Sequence, residues 1–162
     1  MVRGNAVGTF RVIDGEVSGD PANPEGTGKV RIIIDAISYR SDSPSRDRTV
    51  TAKSLESDKF PTIAFESKSV VGVVTTRSNE GTAIVTGPLT LHGATHPITV
   101  PVHWILSADG SFIGDGEVKF NYEEFGVKVP GVLLGAILAG DEATVRFHII
   151  ATRAVPPSPG KP

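Results

Sequence analysis

The chain of 162 residues contains no cysteine. That excludes disulfides, thiolate metal sites and a cysteine nucleophile, and leaves the compartment undecided. Net charge is scarce too: 16 Lys and Arg stand against 18 Asp and Glu, for a formal charge of -2. The electrostatic footprint of a nucleic-acid binder is therefore missing, and no block of like charge marks an interaction tail. No apolar run is long enough to span a bilayer. The opening stretch MVRGNAVGTF lacks the apolar core of a signal peptide, which leaves either a cytoplasmic protein or a chain that is processed or truncated. No Gly-rich phosphate loop joins a strand to a helix, no Ser sits in a nucleophile elbow, and there is no internal repeat.

What the chain does have is 18 Gly and 12 Pro, spaced like the punctuation of a turn-rich β protein. Its length fits a single domain with a real core. The stretch RDRTVTAKSLESDKFPTIAFES organises the rest. It begins at Arg46-Asp47 and runs through a short amphipathic segment with Val50 and Leu55 on one side. Pro61 then disfavours helix at Phe60 and starts a strand without needing a ladder donor. In that strand Ile63 and Phe65 alternate with Thr62, Ala64 and Glu66, the mark of a half-buried strand.

Before it, residues 7–13 read as a strand weakened by Gly8, residues 15–18 as a second short strand, and residues 20–26 as a turn cluster. Residues 30–39 give the strongest strand signal, with Val30, Ile32, Ile34 and Ala36 opposite Arg31, Ile33, Asp35 and Ile37. After Phe65 the strand is expected to continue to about Val74, and residues 77–81 to form a hairpin loop. Residues 83–91 return with Val85, Gly87, Leu89 and Leu91 inward, and Gly93-Ala94-Thr95 is a tight connection. Residues 97–106 place Ile98, Val100, Val102, Trp104 and Leu106 on one face; Pro101 on the other argues for an edge or a bulge. Residues 112–122 carry Phe112, Val118, Phe120 and Tyr122 with Gly114 and Gly116, as in a bent barrel strand. Residues 125–140 read as a covering loop with one helical turn, and residues 141–153 as a closing strand with Val145, Phe147, Ile149 and Ala151 inward. Residues 154–162 form a Pro-rich disordered tail behind a single domain over 1–153. A meandering antiparallel sheet of this size hides its edges best by curling into a barrel, and about eight strands leave room for one small ligand.

His92 and His96 are close in sequence but lack an obvious third metal ligand, so no metal is expected. The aromatics are scattered without the basic interleaving of a nucleic-acid platform. Core packing explains most of them, and an enclosed apolar cavity needs the same residues.

In order and spacing, IDAISY, RDRTVTAKSLESDKFPTIAFES, GPLTLHGATHPITVPV and FNYEEFGVKVPG resemble the YceI-like family of polyisoprenoid-binding proteins, from about Gly8 to Thr152. The resemblance implies an all-β, antiparallel, up-and-down lipocalin-like barrel with a short helix near Arg46–Leu55. It further implies a lumen that holds an isoprenoid or isoprenoid quinone, and no catalysis. Lumen-lining residues are then expected to be Phe10, Ile32, Ile34, Phe60, Ile63, Phe65, Val85, Leu89, Leu91, Val102, Trp104, Phe120, Tyr122, Phe125 and Phe147. Arg46, Asp47, His92 and Thr95 would be structural ties at the barrel ends. No cofactor, nucleic acid or membrane span is expected, apart from the bound lipid.

The family begins with a further strand, usually after a secretion signal, and this chain has almost nothing upstream of GNAVGTF. The expectation is a start placed too late, a natural location in the bacterial periplasm, and a homodimer through open sheet edges. The alternatives are a structural or stress-related β domain with a filled core, favoured less because Ala36, Gly87, Gly114 and Gly116 point inward, and an enzyme on the same barrel.

Overall fold

The computed structural model describes residues 7–20, 22–129 and 142–153. Its strands are β1 (Gly8–Ser18), β2 (Lys29–Ser41), β3 (Thr62–Glu66), β4 (Ser69–Arg77), β5 (Glu80–Leu91), β6 (Ala94–Leu106), β7 (Phe112–Asn121) and β8 (Glu142–Ala151). All pairings are antiparallel, in the order β1-β2-β3-β5-β6-β7-β8, with β4 also on β5. The result is the expected nearly closed, eight-stranded barrel. Among the described residues β1 and β8 approach each other but share no hydrogen-bonded ladder. The expected tail over 154–162, most of the expected covering loop, and the first six residues lie outside the described residues.

Two departures from the expected strands shape the interior. Residues 7–18, expected as two strands, form one, because register slips at Thr9/Arg11 and Val12/Asp14 absorb the irregularity. At the first slip Thr9 faces Arg40 while Arg11 faces Asp35, so β2 bulges over residues 36–39. Ser38 holds that bulge: its Oγ accepts from Arg11 N at 2.8 Å and donates to the Asp35 carbonyl at 2.5 Å. The bulge changes the phase of the strand. Ile32 and Ala36 are buried, and then Tyr39, while Ile37 is exposed.

The second departure is a break where a continuous strand to Val74 was expected. Ser67 turns away to exchange hydrogen bonds with Val30, its N donating to the Val30 carbonyl and its Oγ accepting from Val30 N, both at 2.8 Å. Lys68 N donates to the Thr86 carbonyl at 2.8 Å. Thus β3 sits between β2 and β5, whereas β4 pairs with β5 alone. A Cβ at Gly87 would stand 2.1 Å from the Glu66 carbonyl, so this corner requires glycine.

Helical turns cover edges and ends. The expected turn cluster contains α1 (Pro24–Thr27), capped by Asn23; Glu25 accepts from Val73 N at 2.8 Å and so occupies the outer edge of β4. The expected short helix is α2 (Pro44–Thr49), with Ser43 as N-cap and Pro44 at its first position, running on into a π turn over Val50–Ser54. A 3₁₀ turn, Tyr122–Phe125, ends β7 one residue earlier than expected, and Gly126 caps it at φ 72°. The β5–β6 connection is the pair His92-Gly93, with φ of 53° and 78°, as in a type I′ hairpin.

Candidate functional site

The inward face is read most clearly along β5, where Gly81, Ala83, Val85, Gly87, Leu89 and Leu91 are all buried. Residues directly opposite in an antiparallel pair share a face. The register therefore carries the inward face through Trp104, Val102, Val100, Ile98, His96 and Ala94 of β6. It continues through Phe112, Gly114 and Gly116 of β7 to Ala151, Ile149 and Phe147 of β8. On the other side Phe65 faces Ile32 and Ile63 faces Ile34. Charged side chains take the outer face in pairs such as Arg31–Asp14, Arg11–Asp35 and Arg146–Glu117. Among the described strand residues the inward face thus carries no Asp, Glu, Lys or Arg. Its ionisable groups are Tyr39, whose hydroxyl burial pushes above its ordinary value, and His96.

His96 and Tyr39 are inward residues that sequence reasoning missed, and His96 is the more legible of the two. Its signal was available, because it shares parity with Ile98 and Val100. Its ring stands edge-on to Phe125 at 4.9 Å, and neither ring nitrogen has a hydrogen-bond partner among the described residues.

One end of the barrel is covered from within. The β6–β7 ladder runs only over Val102–Leu106 against Phe112–Gly116. Beyond Pro101 the two strands separate, so Pro101 marks the ladder's end, in keeping with the edge position expected of it. Phe125, 1% exposed, packs in the same cluster as Leu55, Leu89, Leu91 and Val127, with Val50, Ile63, Phe65, Ile98, Phe120 and Tyr122 around them. Leu55 comes from the end of the π turn and Phe125 from the 3₁₀ turn, so the two short helical segments close this end together. Flanking Leu55, Ser54 and Ser57 are 3% and 5% exposed, and neither hydroxyl has a hydrogen-bond partner among the described residues. A second cluster, Val70, Ala83 and Val85 with Val30, Val102 and Trp104, lies toward the other end.

The expected lumen residues fall into three groups. Ile32, Val85, Leu89, Leu91 and Phe125 are buried. Ile34, Ile63, Phe65, Val102, Trp104, Phe120, Tyr122 and Phe147 are half-buried. Phe10 and Phe60 are placed elsewhere: Phe10 is 40% exposed and rests on Tyr39 at 5.2 Å, and Phe60 packs on His92 at 4.6 Å and over Gly93. The small inward residues leave less room than expected. A Cβ at Gly116 would lie 2.5 Å from the Phe147 ring, and one at Gly81 would lie 2.8 Å from the Trp104 indole.

The four expected ties sit around the covered end. His92 Nε2 lies 2.8 Å from Glu56 Oε2 and Nδ1 lies 3.3 Å from the Phe125 carbonyl, joining the hairpin, the post-helical loop and the 3₁₀ turn. Glu56 also accepts from Lys59 at 2.5 Å; the Lys59 and then the His92 hydrogen bonds hold its carboxyl below the usual range. Asp47 Oδ1 accepts from Ser41 N at 2.8 Å and Ser41 Oγ at 2.6 Å, tying α2 to the end of β2. Arg46 pairs with Asp42, and Thr95 meets Thr90 at 2.9 Å across β5 and β6. His92 and His96 thus take different surroundings, and no group of three metal-ligating side chains occurs among the described residues. No helix among them is long and apolar enough to cross a membrane.

Comparison with known proteins follows the same lines. A UPF0312 protein of Ectopseudomonas mendocina (strain ymp) is 37% identical over 111 residues, 68% of this chain and 51% of the relative. The chain thus spans about half the length of that curated relative. The crystal structure of Burkholderia cenocepacia BcnA superposes with a TM-score of 0.72 at 25% identity, covering 90% of this chain and 87% of that one. A polyisoprenoid binding domain from Saccharophagus degradans shares the fold, with a TM-score of 0.59 at 12% identity over 87% of this chain and 83% of that one. The YceI-like domain model matches residues 1–151, and the chain belongs to that family.

Proposed function

We propose that this barrel binds and carries an apolar long-chain lipid, an isoprenoid or isoprenoid quinone, outside the cytoplasm. The observation that carries the reading is the inward face: among the described strand residues it holds aliphatic and aromatic side chains and no carboxylate, lysine or arginine. Desolvating a charge costs far more than desolvating a hydrocarbon, so such an interior selects chains without charge. The Saccharophagus degradans neighbour is named for polyisoprenoid binding, which agrees with this ligand class. Catalysis would need a convergent polar set, and the inward face offers one imidazole. The protein therefore acts by holding its ligand, with no nucleic-acid partner.

One observation favours the competing reading, a structural domain with a filled core: the Phe147 and Trp104 rings occupy the space over Gly116 and Gly81. Fluorescence separates the two. Trp104 is the single tryptophan of the chain and faces inward. Titration with an isoprenoid quinone should quench it saturably at one equivalent. Emission that stays constant, with no quinone co-eluting on gel filtration, would establish the filled core.

A further inference from the structure

We propose that the protein docks on a bilayer of anionic phospholipid through the groove between α2 and the β2 bulge, with the Arg40 and Arg48 guanidinium groups on lipid phosphates and Ile37 in the apolar boundary beneath them. Docking would bring the barrel to a membrane, where a lipid of the proposed class resides, yet the two readings can fail separately.

The groove, of about 310 Å³, is lined by Ile37, Arg40, Pro44, Asp47, Arg48 and Thr51. The bulge of β2 creates it: the change of phase after Ala36 buries Tyr39 and leaves Ile37, 54% exposed, on the outer surface. An isoleucine exposed between two arginines suits a membrane surface, where cations meet phosphates and apolar side chains enter the head-group boundary. Arg40 is held in place by its own strand, its Nη1 donating to the Ile37 carbonyl at 3.1 Å and the Tyr39 carbonyl at 2.6 Å. Its Nε and Nη2 have no partner among the described residues, which leaves donors for a phosphate.

Arg48 is exposed and forms no ion pair among the described residues. The one carboxylate in the lining, Asp47, is engaged by the Ser41 backbone and hydroxyl, and the neighbouring Arg46 and Asp42 pair with each other. The lining therefore sets two cations against one carboxylate, on a chain whose formal charge is -2. Attraction to an anionic surface is thus local to this groove. An acidic peptide would satisfy the arginines and leave Ile37 facing charge, whereas a bilayer serves both.

The same run of chain covers the barrel. Helix α2 continues into the π turn, whose capping residue Leu55 packs in the cluster of Phe125 at the covered end. The surface placed on the membrane is therefore carried by the segment that closes the lumen.

The test is flotation of the full chain with vesicles of phosphatidylcholine alone, or of phosphatidylcholine with phosphatidylglycerol, beside the Trp104 quinone titration without vesicles. Wild type should float with the phosphatidylglycerol vesicles, leave them as salt is raised, and stay behind with phosphatidylcholine alone. Arg48→Gln should weaken partition about fivefold, the effect of one basic contact. Ile37→Ser should weaken it too, and neither change should move the melting temperature or the quinone titration. Arg77→Gln, at the opposite end of the barrel, should match wild type. Wild type that ignores the anionic vesicles, or floats equally with both kinds, would overturn the docking surface. So would Arg48→Gln and Ile37→Ser variants that float like wild type, or a loss in Arg77→Gln as large as theirs. Release by inorganic phosphate but not by chloride at equal ionic strength would make the groove a soluble-phosphate site. Tighter binding of a polyglutamate peptide than of vesicles would make it a protein site, and either result overturns the bilayer. Vesicle binding without quinone uptake would keep the docking surface and remove the carrier; quinone uptake without vesicle binding would do the reverse.

Discussion

His92 Nε2 meets Glu56 Oε2 at 2.8 Å, and this contact joins the β5–β6 hairpin to the loop that follows the helical segment. The same ring packs on Phe60 and reaches the Phe125 carbonyl, so one side chain fastens three parts of the barrel's covered end. Truncating it removes all three contacts together. His92→Ala should destabilise the fold by about 1–3 kcal/mol, read as a lower urea midpoint. His92→Asn should cost less, because asparagine tolerates the positive φ of this turn position. Equal midpoints for wild type and His92→Ala would show that the clamp carries no weight.

The clamp also gives the protein an acid limit. Lys59 and His92 lower the native pKa of Glu56, so the native state holds that proton more weakly than the unfolded chain. The stabilisation is then complete above the ordinary carboxylate range and is lost as pH falls through it toward the lower native value. Glu56→Gln should reduce the slope of stability against pH in that acid window. Parallel wild-type and variant curves would remove Glu56 from the acid response.

Of the two charged residues opening the central stretch, Asp47 should matter more. It accepts two hydrogen bonds from Ser41, whereas Arg46 pairs with Asp42, which is 83% exposed. Exposed pairs contribute about 0–1 kcal/mol, and stranding the Ser41 groups costs about 1–3 kcal/mol. Asp47→Ala should therefore lower the melting temperature more than Arg46→Ala. The reverse order would shift the tie to the guanidinium.

Among the described residues β1 and β8 share no ladder, which leaves each with a row of backbone donors and acceptors facing the other. The protein should self-associate through them, a dimer by gel filtration with light scattering. Proline placed at ladder-facing positions of β8 should return it to monomer. A wild-type monomer, stable to heating, would show that the seam is sealed within one chain.

Periodicity made the strands and their inward faces legible: β5 alternates without a fault, and His96 follows from the parity of Ile98. What it could not show was phase. The Ala36–Tyr39 bulge depends on Ser38 bonding to β1, a partner more than twenty residues away, and no local pattern announces it. The break after Glu66 likewise depends on a glycine, Gly87, in another strand. Phe60, expected in the lumen, packs instead on His92. Its place on His92 is set by the hairpin, which reaches it through the fold. Gly116 is expected to open space inside the barrel, but the Phe147 ring opposite takes that space, and only the register reveals which ring.

The carrier reading stands or falls on what the protein holds when it leaves the cell. Purified protein from a bacterial host, with and without Leu89→Asp, should be extracted with organic solvent and the extract weighed by mass spectrometry. Wild type should release an isoprenoid-chain lipid near one per chain, and the variant, with a carboxylate among Leu55, Leu91 and Phe125, should release little or none. A folded wild-type protein that releases no such lipid, or a folded variant that releases as much, would contradict it.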